Sequence, residues 1–367
     1  MLAVAGKGSR ARQSAESSIE ELARLAESAG ARVVGKVVQP LPAPSHDLYI
    51  GKGKLDELLV LKDTADYNVL ILDDELTPHQ QRNLEDAIGV KVIDRAALIL
   101  DIFARRARTR EGRLQVELAQ HQYLLPRLAG QWRHLERLGG GIGTRGPGES
   151  QLETDRRIIH RKIQRLKEQT EKIRQHRALY RQKRQQSGVP VVALVGYTNT
   201  GKSTLLNTLT RADILADDRL FATLDPTTRR LTLPGNRTVL LTDTVGFIRK
   251  LPPTIIDAFR ATLEELDEAD LLLHVVDLSA PDAPEQCQAV EDILKDLGLA
   301  GKKRITVLNK IDLCPGTEPS VDGDVPAEIL GQPPDERTVM VSAVKGWGLP
   351  RLLEMVEREL GRTPEAA

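Results

Sequence analysis

The sequence predicts an α/β fold in three parts. These are an N-terminal α/β subdomain with a parallel sheet (residues 1–100), a long antiparallel helical hairpin of coiled-coil type (101–188), and a second α/β domain of the phosphate-loop class (189–364). Three observations lead to this prediction. Strands alternate with helices at both ends of the chain. Leucine and isoleucine recur at coiled-coil spacing between those ends. A phosphate-loop pattern follows a strand near residue 196.

Residues 1–100 contain four apolar runs that predict strands, at 2–5, 32–38, 68–72 and 91–93. The run at 68–72 is almost entirely apolar, which is typical of a parallel strand buried on both faces. Apolar side chains at helical spacing predict an amphipathic helix over 18–29, with Gly30 as its expected stop. Strands that alternate with helices in this way predict a small parallel sheet.

Two apolar seams predict the hairpin in residues 101–188. The first recurs at steps of three and four, at Leu114, Leu118, His121, Leu125, Leu128, Trp132 and Leu135. The second recurs every seven residues, at Leu152, Ile159, Leu166, Ile173 and Tyr180. The glycine-rich segment 139–148 lies between them and is expected to be a non-helical connection. Pro126 is expected to kink the first helix, because proline lacks the N–H that a helix interior needs.

The hairpin segment is basic although the whole chain has a net charge of zero. It holds 21 Lys and Arg against 9 Asp and Glu, a charge of +12 that the rest of the chain offsets. The charges singled out are Arg105, Arg106, Arg108, Arg110, Arg156, Arg157, Arg161 and Lys162. A basic segment between acidic neighbours indicates a phosphate-rich partner such as structured RNA. The alternative is a solvated helical face with Glu168 and Glu171 as partners.

A strand at 190–195 runs directly into a segment with the pattern G-x-x-x-x-G-K-[ST]. Its glycines let backbone N–H groups turn around phosphate oxygens, and the following helix presents its N-terminus to the same anion. Lys202 is expected to act in catalysis at the β and γ phosphates, and Ser203 to bind Mg²⁺ through its hydroxyl. The residues expected to hold the phosphates are Gly196, Tyr197, Thr198, Asn199, Thr200, Gly201, Lys202, Ser203 and Thr204.

Two further motifs follow in the order that phosphate-loop GTPases use. In the D-x-x-G motif, Asp243 is expected to belong to the Mg²⁺ site one shell outside the direct ligands, and Gly246 to bring its N–H to the γ-phosphate for catalysis. In the Asn-Lys-x-Asp motif, the Asp312 carboxylate can accept from N1–H and the exocyclic amine of guanine. The residues expected at the nucleotide are Asp243, Thr244, Val245, Gly246, Asn309, Lys310, Ile311, Asp312, Ser342, Ala343 and Val344. The ordered motifs predict a GTPase domain that binds and hydrolyses GTP.

A first switch segment is expected at 221–229, between the phosphate loop and D-x-x-G. Its residues expected at the nucleotide are Phe221, Ala222, Thr223, Leu224 and Asp225. The segment contains several threonines, and spacing alone leaves open which of them reaches Mg²⁺. Phe247 stands where many GTPases place a glutamine that orients the attacking water, so slow hydrolysis by the isolated protein is expected. Arg229 and Arg230 could act as an arginine finger supplied by the same chain. The alternative is that they are solvated charges of the switch segment.

With these motifs the sequence resembles the HflX-type ribosome-associated GTPases of the Obg-HflX-like superfamily. The segments that carry the resemblance are 49–54, 73–76, 80–85, 102–107, 115–120, the glycine-rich 140–149 with its Arg-Gly-Pro-Gly-Glu ending, and the three nucleotide motifs. The resemblance implies contact with the RNA and proteins of the large ribosomal subunit, in splitting or rescuing stalled ribosomes under stress. It implies GTP and GDP as ligands and Thr223 as the catalytic switch-one ligand of Mg²⁺. It also implies that some members bind ATP through the N-terminal region.

Three further expectations accompany the resemblance. Some related GTPases have an asparagine before the glycine-lysine pair that helps to place a monovalent cation. By this similarity, Asn199 is expected to help place K⁺ beside the phosphates. Thr200 stands where alanine is usual in the family and is expected to be tolerated. The extra C-terminal domain of some members is expected to be absent, because the chain ends soon after a helix predicted at 349–360. The alternative function is a GTP-gated RNA- or protein-binding switch in ribosome assembly, in which hydrolysis only resets the protein.

Composition argues against other classes of function. No run is long and apolar enough to cross a bilayer and no signal peptide is evident, so a cytoplasmic protein without stable membrane insertion is expected. Cys287 and Cys314 are the only cysteines, as in a reducing compartment, and no cluster of Cys and His predicts a metal cage. Nothing in the sequence points to DNA or demands a dimer, so a monomer is expected.

Overall fold

The structure is a computed structural model that describes residues 2–6, 10–40, 45–128, 147–186, 188–210, 220–221, 223–252, 255–256, 263, 265–314 and 335–361. The chain divides into two compact units. The first groups Met1–Ile173 with Pro252–Ala258, and the second groups Arg174–Leu251 with Phe259–Ala367. Within the described ranges, no helix has a stretch long and apolar enough to span a lipid bilayer.

A four-stranded parallel sheet with strand order β2-β1-β3-β4 forms the centre of the first unit, which confirms the predicted parallel sheet. Its strands are β1 (Leu2–Gly6), β2 (Lys36–Pro40), β3 (Val69–Leu72) and β4 (Lys91–Asp94). Its helices are α1 (Arg10–Ser28), α2 (Lys52–Ala65), α3 (Pro78–Ile88) and α4 (Arg95–Arg106). The strand predicted at 32–38 begins only at Lys36, because its pairing with β1 starts with Lys36 opposite Leu2.

Helices α2 and α3 belong to one apolar cluster with the sheet. Leu58 of α2 and Leu84 of α3 share this buried cluster with Leu70 and Leu72 of β3 and Val92 of β4. Each such side chain contributes roughly 1.5–3 kcal/mol by leaving water. The apolar run at 68–72 therefore stabilises the unit as a buried parallel strand does.

A buried ion pair network lies in the same unit and was not predicted from the sequence. The Arg95 guanidinium is 1% exposed and lies 2.6 Å from an Asp73 carboxylate oxygen, and it also pairs with Glu21. Ser18 donates a hydrogen bond of 2.6 Å to the other oxygen of Asp73. Charges this deeply buried are tolerated only when oppositely charged and hydrogen-bonding groups satisfy them.

The two predicted helical seams meet in the structure. The helices are α5 (Arg110–Leu124) and α6 (Pro147–Gln186). Leu118 of α5 shares a buried cluster with Ile163 and Leu166 of α6, and Leu114 and Ile159 pack against it. Ile163 supplies the alternate heptad position that the seven-residue repeat leaves out. Trp132, Leu135 and residues 139–146 of the glycine-rich segment lie outside the described residues, as do the side chains of Leu152 and Tyr180.

One predicted boundary in this region is wrong, and the predicted kink at Pro126 stays a prediction. Helix α5 ends at Leu124, and Pro126 lies in a 3₁₀ turn (Leu125–Arg127) that accommodates the missing N–H of proline. Leu128 is helical again, and residues 129–146 lie outside the described residues, so the described residues do not test a kink within a longer helix. Helix α6 begins at Pro147, so Pro147 and Gly148 are helical although the glycine-rich connection was expected to include them. Proline is favoured in the first helical turn, where its N–H would have no partner.

The second unit contains a six-stranded sheet in the order β10-β9-β8-β5-β7-β6, in which only the edge strand β6 is antiparallel. Its strands are β5 (Val191–Gly196), β6 (Thr227–Thr232), β7 (Thr238–Asp243), β8 (Leu271–Asp277), β9 (Arg304–Asn309) and β10 (Thr338–Met340). Its helices include α7 (Lys202–Thr210), α8 (Ala283–Asp296) and α9 (Leu349–Gly361). The predicted phosphate-loop fold is confirmed. Strand β6 was not predicted, and residues 227–229 of the expected switch segment belong to it.

Candidate functional site

The loops that follow β5, β7, β9 and β10 meet at the carboxyl edge of this sheet, because these strands are parallel. They surround a cavity of about 300 Å³. The predicted site residues that line it are Thr198, Asn199, Gly201, Lys202, Ser203, Thr204, Phe221, Thr223, Thr244, Gly246, Asn309, Lys310, Asp312, Ala343 and Val344. All three sequence motifs therefore contribute to one concave site.

Two glycines of the phosphate loop allow a close approach that other residues would block. Gly196 has φ 150°, and a Cβ atom there would lie 2.2 Å from the Val275 carbonyl oxygen. Gly201 has φ 90°, and its Cβ would lie 2.4 Å from the amide nitrogen of Asn309. Only glycine combines these backbone angles with this lack of space. The loop thus packs against the neighbouring strands while its backbone turns around the cavity.

The Lys202 ammonium is buried at the base of the cavity. Its Nζ donates to the carbonyl oxygens of Gly196 and Tyr197, at 3.1 and 2.6 Å. Desolvation lowers the pKa of Lys202 to about 8, an effect that the negative charge of Asp243 partly offsets. A buried cation next to a loop of inward-turned N–H groups favours a polyanionic ligand.

Three oxygen-bearing side chains meet beside Lys202. The hydroxyls of Ser203 and Thr223 lie 2.8 Å apart, and they donate to the same Asp243 oxygen at 2.6 and 3.0 Å. Within the described residues, the other Asp243 oxygen (Oδ1) is buried and has no hydrogen-bond partner. Burial raises the pKa of Asp243, against the effect of the nearby Lys202. Mg²⁺ prefers hard oxygen ligands. The two hydroxyls and the Asp243 carboxylate provide such oxygens, and Asp243 Oδ1 is buried without a hydrogen-bond partner among the described residues.

The D-x-x-G segment lies directly against the phosphate loop. A Cβ atom on Gly246 would lie 2.8 Å from Thr198 Cα and 3.1 Å from Lys202 Nζ, so only glycine fits without displacing either. The next residue, Phe247, is 2% exposed and does not line the cavity. Its ring is therefore not placed to contact a ligand, as expected from its apolar side chain.

Asn309 joins the motifs to one another. Its side-chain amide donates to the carbonyl oxygen of Thr200 in the phosphate loop at 2.8 Å and accepts from the Ala343 N–H at 3.0 Å. Lys310 adopts φ 64° and pairs with Asp277 at the end of β8, at 2.7 Å. These contacts position the 3₁₀ turn (Ile311–Leu313) in which Asp312 faces the cavity.

Other predicted site residues do not line the cavity, and most are buried behind it. They are Gly196, Tyr197, Thr200, Leu224, Asp225, Asp243, Val245, Ile311 and Ser342. The side chains of Leu224, Val245 and Ile311 belong to the apolar interior, so a contact with a ligand would come from the backbone. Ser342 Oγ accepts from the Lys345 N–H, which leaves the neighbouring backbone to face the cavity. Ala222 lies outside the described residues.

Two residues at the site were missed by the sequence analysis. Leu313 lines the cavity directly after the Asn-Lys-x-Asp motif. Asp277 holds Lys310, and its position at the carboxyl end of the buried strand β8 was a signal that could have found it. Arg229 and Arg230 are exposed on β6 and do not line the cavity, which agrees with the alternative of solvated charges.

Three family models match the chain. They are described as GTP-binding GTPase N-terminal (residues 16–104), GTP-binding GTPase Middle Region (106–184) and 50S ribosome-binding GTPase (191–310). The last range begins with β5 and ends within the Asn-Lys-x-Asp motif. It therefore contains the cavity loops that follow β5 and β7 and the start of the loop that follows β9.

Curated relatives match nearly the whole chain. A protein named GTPase HflX from Caldanaerobacter subterraneus is 53% identical over 95% of this chain and 78% of its own length. GTPase HflX from Lacrimispora saccharolytica is 51% identical over 94% of this chain and 79% of its own length. A solved structure described as the complex of SsGBP with GDP covers 97% of both chains at 26% identity, with a TM-score of 0.51.

Proposed function

We propose, from the premise that this chain belongs to the HflX family of GTPases, that its GTP cycle splits or rescues stalled ribosomes under stress by acting on the large subunit. GTP hydrolysis itself is the activity that the family shares. The observation that carries the ribosomal part is the match of residues 191–310 to a family described as 50S ribosome-binding GTPase. The slow intrinsic rate and its stimulation are inferred from the site.

The site residues have distinct roles in this cycle. The phosphate-loop backbone and Lys202 bind the β and γ phosphates, and Asp312 selects guanine over adenine. Ser203 and Thr223 would hold Mg²⁺ through their hydroxyls, which both donate hydrogen bonds to Asp243. Mg²⁺, when bound, neutralises charge on the phosphate oxygens. Gly246 directs its N–H toward the γ-phosphate from its position against the phosphate loop.

Hydrolysis by the isolated protein is slow in this proposal because the residue directly after D-x-x-G has no polar side chain with which to orient the attacking water. Phe247 occupies the position at which a glutamine orients the nucleophile in related GTPases, and its ring is buried. The ribosome would supply the missing order to the switches.

Helix α6 offers basic surface for ribosomal RNA. Arg156, Arg157 and Arg161 are exposed on it. Lys162 is also exposed and pairs with Glu117 of α5 at 2.7 Å. Structured RNA is bound largely through its phosphates and shape, for which exposed arginines suffice.

Purified large ribosomal subunits are expected to raise kcat for GTP hydrolysis at least about tenfold over the isolated protein. The reason is that switches ordered by the subunit would position the attacking water, which Phe247 cannot do. Multiple-turnover phosphate release, measured with and without large subunits, checks this. Equal rates in both conditions would contradict stimulation and move the partner to another RNA or protein.

The control is a variant with Arg156, Arg157 and Arg161 all changed to glutamine. It should keep the intrinsic rate, because none of the three arginines lines the nucleotide cavity. Its ribosome affinity should fall, and the slope of log affinity against log salt should become shallower by about one to three units, because fewer counterions are released. An unchanged slope would show that the three charges are merely solvated.

The alternative function is a GTP-gated switch in ribosome assembly in which hydrolysis only resets the protein. A non-hydrolysable GTP analogue distinguishes the two. If hydrolysis drives splitting, stalled ribosomes should stay intact with the analogue and separate with GTP. If binding alone is sufficient, one round of separation should occur with either nucleotide. Sedimentation of ribosomes after incubation with stoichiometric protein measures the difference.

A monovalent cation site beside the phosphates is part of the proposal. Asn199 lines the cavity with φ 61°, next to the residues that face the phosphates. We expect intrinsic hydrolysis to be at least about fivefold faster in K⁺ than in Na⁺, since a correctly sized cation adds positive charge where negative charge develops. An Asn199→Ala variant should lose this preference. Equal rates of the parent protein in the two salts would rule out a K⁺ site.

A further inference from the structure

We infer that Tyr197 is a positioning residue for GTP hydrolysis, whose hydroxyl fixes the backbone after D-x-x-G so that the Gly246 N–H stays at the γ-phosphate position. From the sequence, Tyr197 is expected only as one residue of the phosphate loop. Its side chain does not line the cavity, so a role in contacting the nucleotide does not explain it. The inference rests on GTP hydrolysis alone and is independent of the ribosomal role.

The tyrosine reaches the switch segment directly. Tyr197 is 4% exposed, and its hydroxyl oxygen accepts a hydrogen bond of 2.8 Å from the Arg249 N–H. This contact joins the second residue of the phosphate loop to the third residue after D-x-x-G. Arg249 lies outside the regular strands, so a side chain and not a strand partner provides the acceptor for its N–H.

Backbone hydrogen bonds hold the same segment at Phe247, which is nearer to Gly246 in the chain than Arg249 is. The Thr198 N–H donates to the Phe247 carbonyl at 2.8 Å, and the Phe247 N–H donates to the Gly196 carbonyl at 3.0 Å. Tyr197 and Phe247 thus form a parallel bridge outside the regular strands. With the tyrosine hydroxyl, three hydrogen bonds connect residues 196–198 to residues 247–249.

The Arg249 side chain has an anchor of its own. Its guanidinium lies 2.9 Å from an Asp282 carboxylate oxygen at the start of α8. The second Asp282 oxygen accepts from the Gln286 side chain at 2.9 Å, which orients the carboxylate. Arg249 is therefore held through its backbone by Tyr197 and through its side chain by Asp282.

The contacts that hold Arg249 matter for hydrolysis because they fix the segment that begins at Gly246. Gly246 directly precedes the paired segment, and its Cα approaches Thr198 and Lys202 so closely that a Cβ would not fit. Because Phe247 contributes no polar side chain, the backbone of this segment is what can stabilise the transition state. A donor held in place before the reaction costs no reorganisation during it, whereas a loosely held donor does.

The test compares Tyr197→Phe with the parent protein in the absence of ribosomes. The substitution removes one hydroxyl and leaves the buried ring in place. We expect kcat for GTP hydrolysis to fall about 5- to 20-fold. The Kd for GDP should stay within about twofold, because GDP lacks the γ-phosphate that Gly246 faces. Fluorescent GDP titration and phosphate release provide the two numbers.

Asp282→Asn tests the second anchor with the same shape and one charge fewer. It should lower kcat in the same direction, and the double variant should lose less than the product of the two single effects, because both act on Arg249. An unchanged kcat in Tyr197→Phe would overturn the inference. A parallel loss of GDP affinity and thermal stability would also overturn it, since it would show a purely structural role.

Discussion

Replacing Lys202 by methionine is expected to lower kcat/KM for GTP by at least about 10³-fold while changing the stability of the nucleotide-free protein by less than about 1 kcal/mol. Methionine has a similar volume but no charge for the phosphates. The loss falls on binding and on the transition state, because negative charge builds up on the phosphate oxygens that Lys202 faces. GTP turnover and calorimetric unfolding without nucleotide measure the two quantities.

The small effect on stability follows from the burial of Lys202. Desolvation lowers its pKa in the folded state to about 8, from the ordinary lysine value of 10.5. The charged form is therefore less favourable in the folded than in the unfolded chain. This penalty is fully present below pH 8 and is relieved as pH rises from about 8 toward 10.5. Methionine removes the penalty but also removes two hydrogen bonds to the phosphate loop, so the terms offset each other.

Two controls separate function from folding in this experiment. Lys295→Met changes an exposed lysine of α8 and should affect neither turnover nor stability. GDP should raise the unfolding temperature of the parent protein, but at the same concentration it should raise that of Lys202→Met much less, because its affinity is lost. A large drop in stability of the nucleotide-free variant would show that Lys202 is mainly a structural residue.

The nucleotide site was predictable because its signals are local. The phosphate loop, D-x-x-G and Asn-Lys-x-Asp motifs are each a few residues long, and each follows a strand whose apolar run is visible in the sequence. Parallel strands bring their carboxyl ends to one edge, so the order of the motifs was sufficient to predict a single cavity. The phosphate-loop strand β5 and the strands before Asp243 and Asn309 all lie where the apolar runs predicted them.

Contacts between distant residues were not predictable in this way. Tyr197 and Arg249 are 52 positions apart, and Arg95 is 74 positions from Glu21. No spacing in one sequence connects such partners, since each depends on how separate elements pack. The antiparallel strand β6 was missed for a related reason. Its sequence, with Arg229 and Arg230 at its centre, is polar enough for a loop, and pairing with β7 determines its conformation.

Asp312→Asn is expected to lower kcat/KM for GTP by about 10³-fold and to raise activity with xanthosine triphosphate. The parent carboxylate accepts two charge-assisted hydrogen bonds from guanine, one from N1–H and one from the exocyclic amine. An asparagine amide offers one acceptor and places a donor against a donor. Xanthine carries a carbonyl oxygen in place of the amine, so the same amide donor finds an acceptor there. Turnover with each nucleotide under identical conditions measures the exchange.

Asp312→Asn should change nucleotide specificity without disturbing the loop, because the backbone around Asp312 is held independently of its carboxylate. Asn309 connects the motif to Thr200 and Ala343, and Lys310 pairs with Asp277. Asparagine at 312 should therefore keep the geometry and change only the hydrogen-bond pattern. Asp296→Asn, on exposed surface of α8, is the matched control and should leave both activities unchanged. A loss of GTP turnover in Asp312→Asn without any increase in turnover of xanthosine triphosphate would contradict this prediction. That result would show that the carboxylate supports the loop and does not recognise the base.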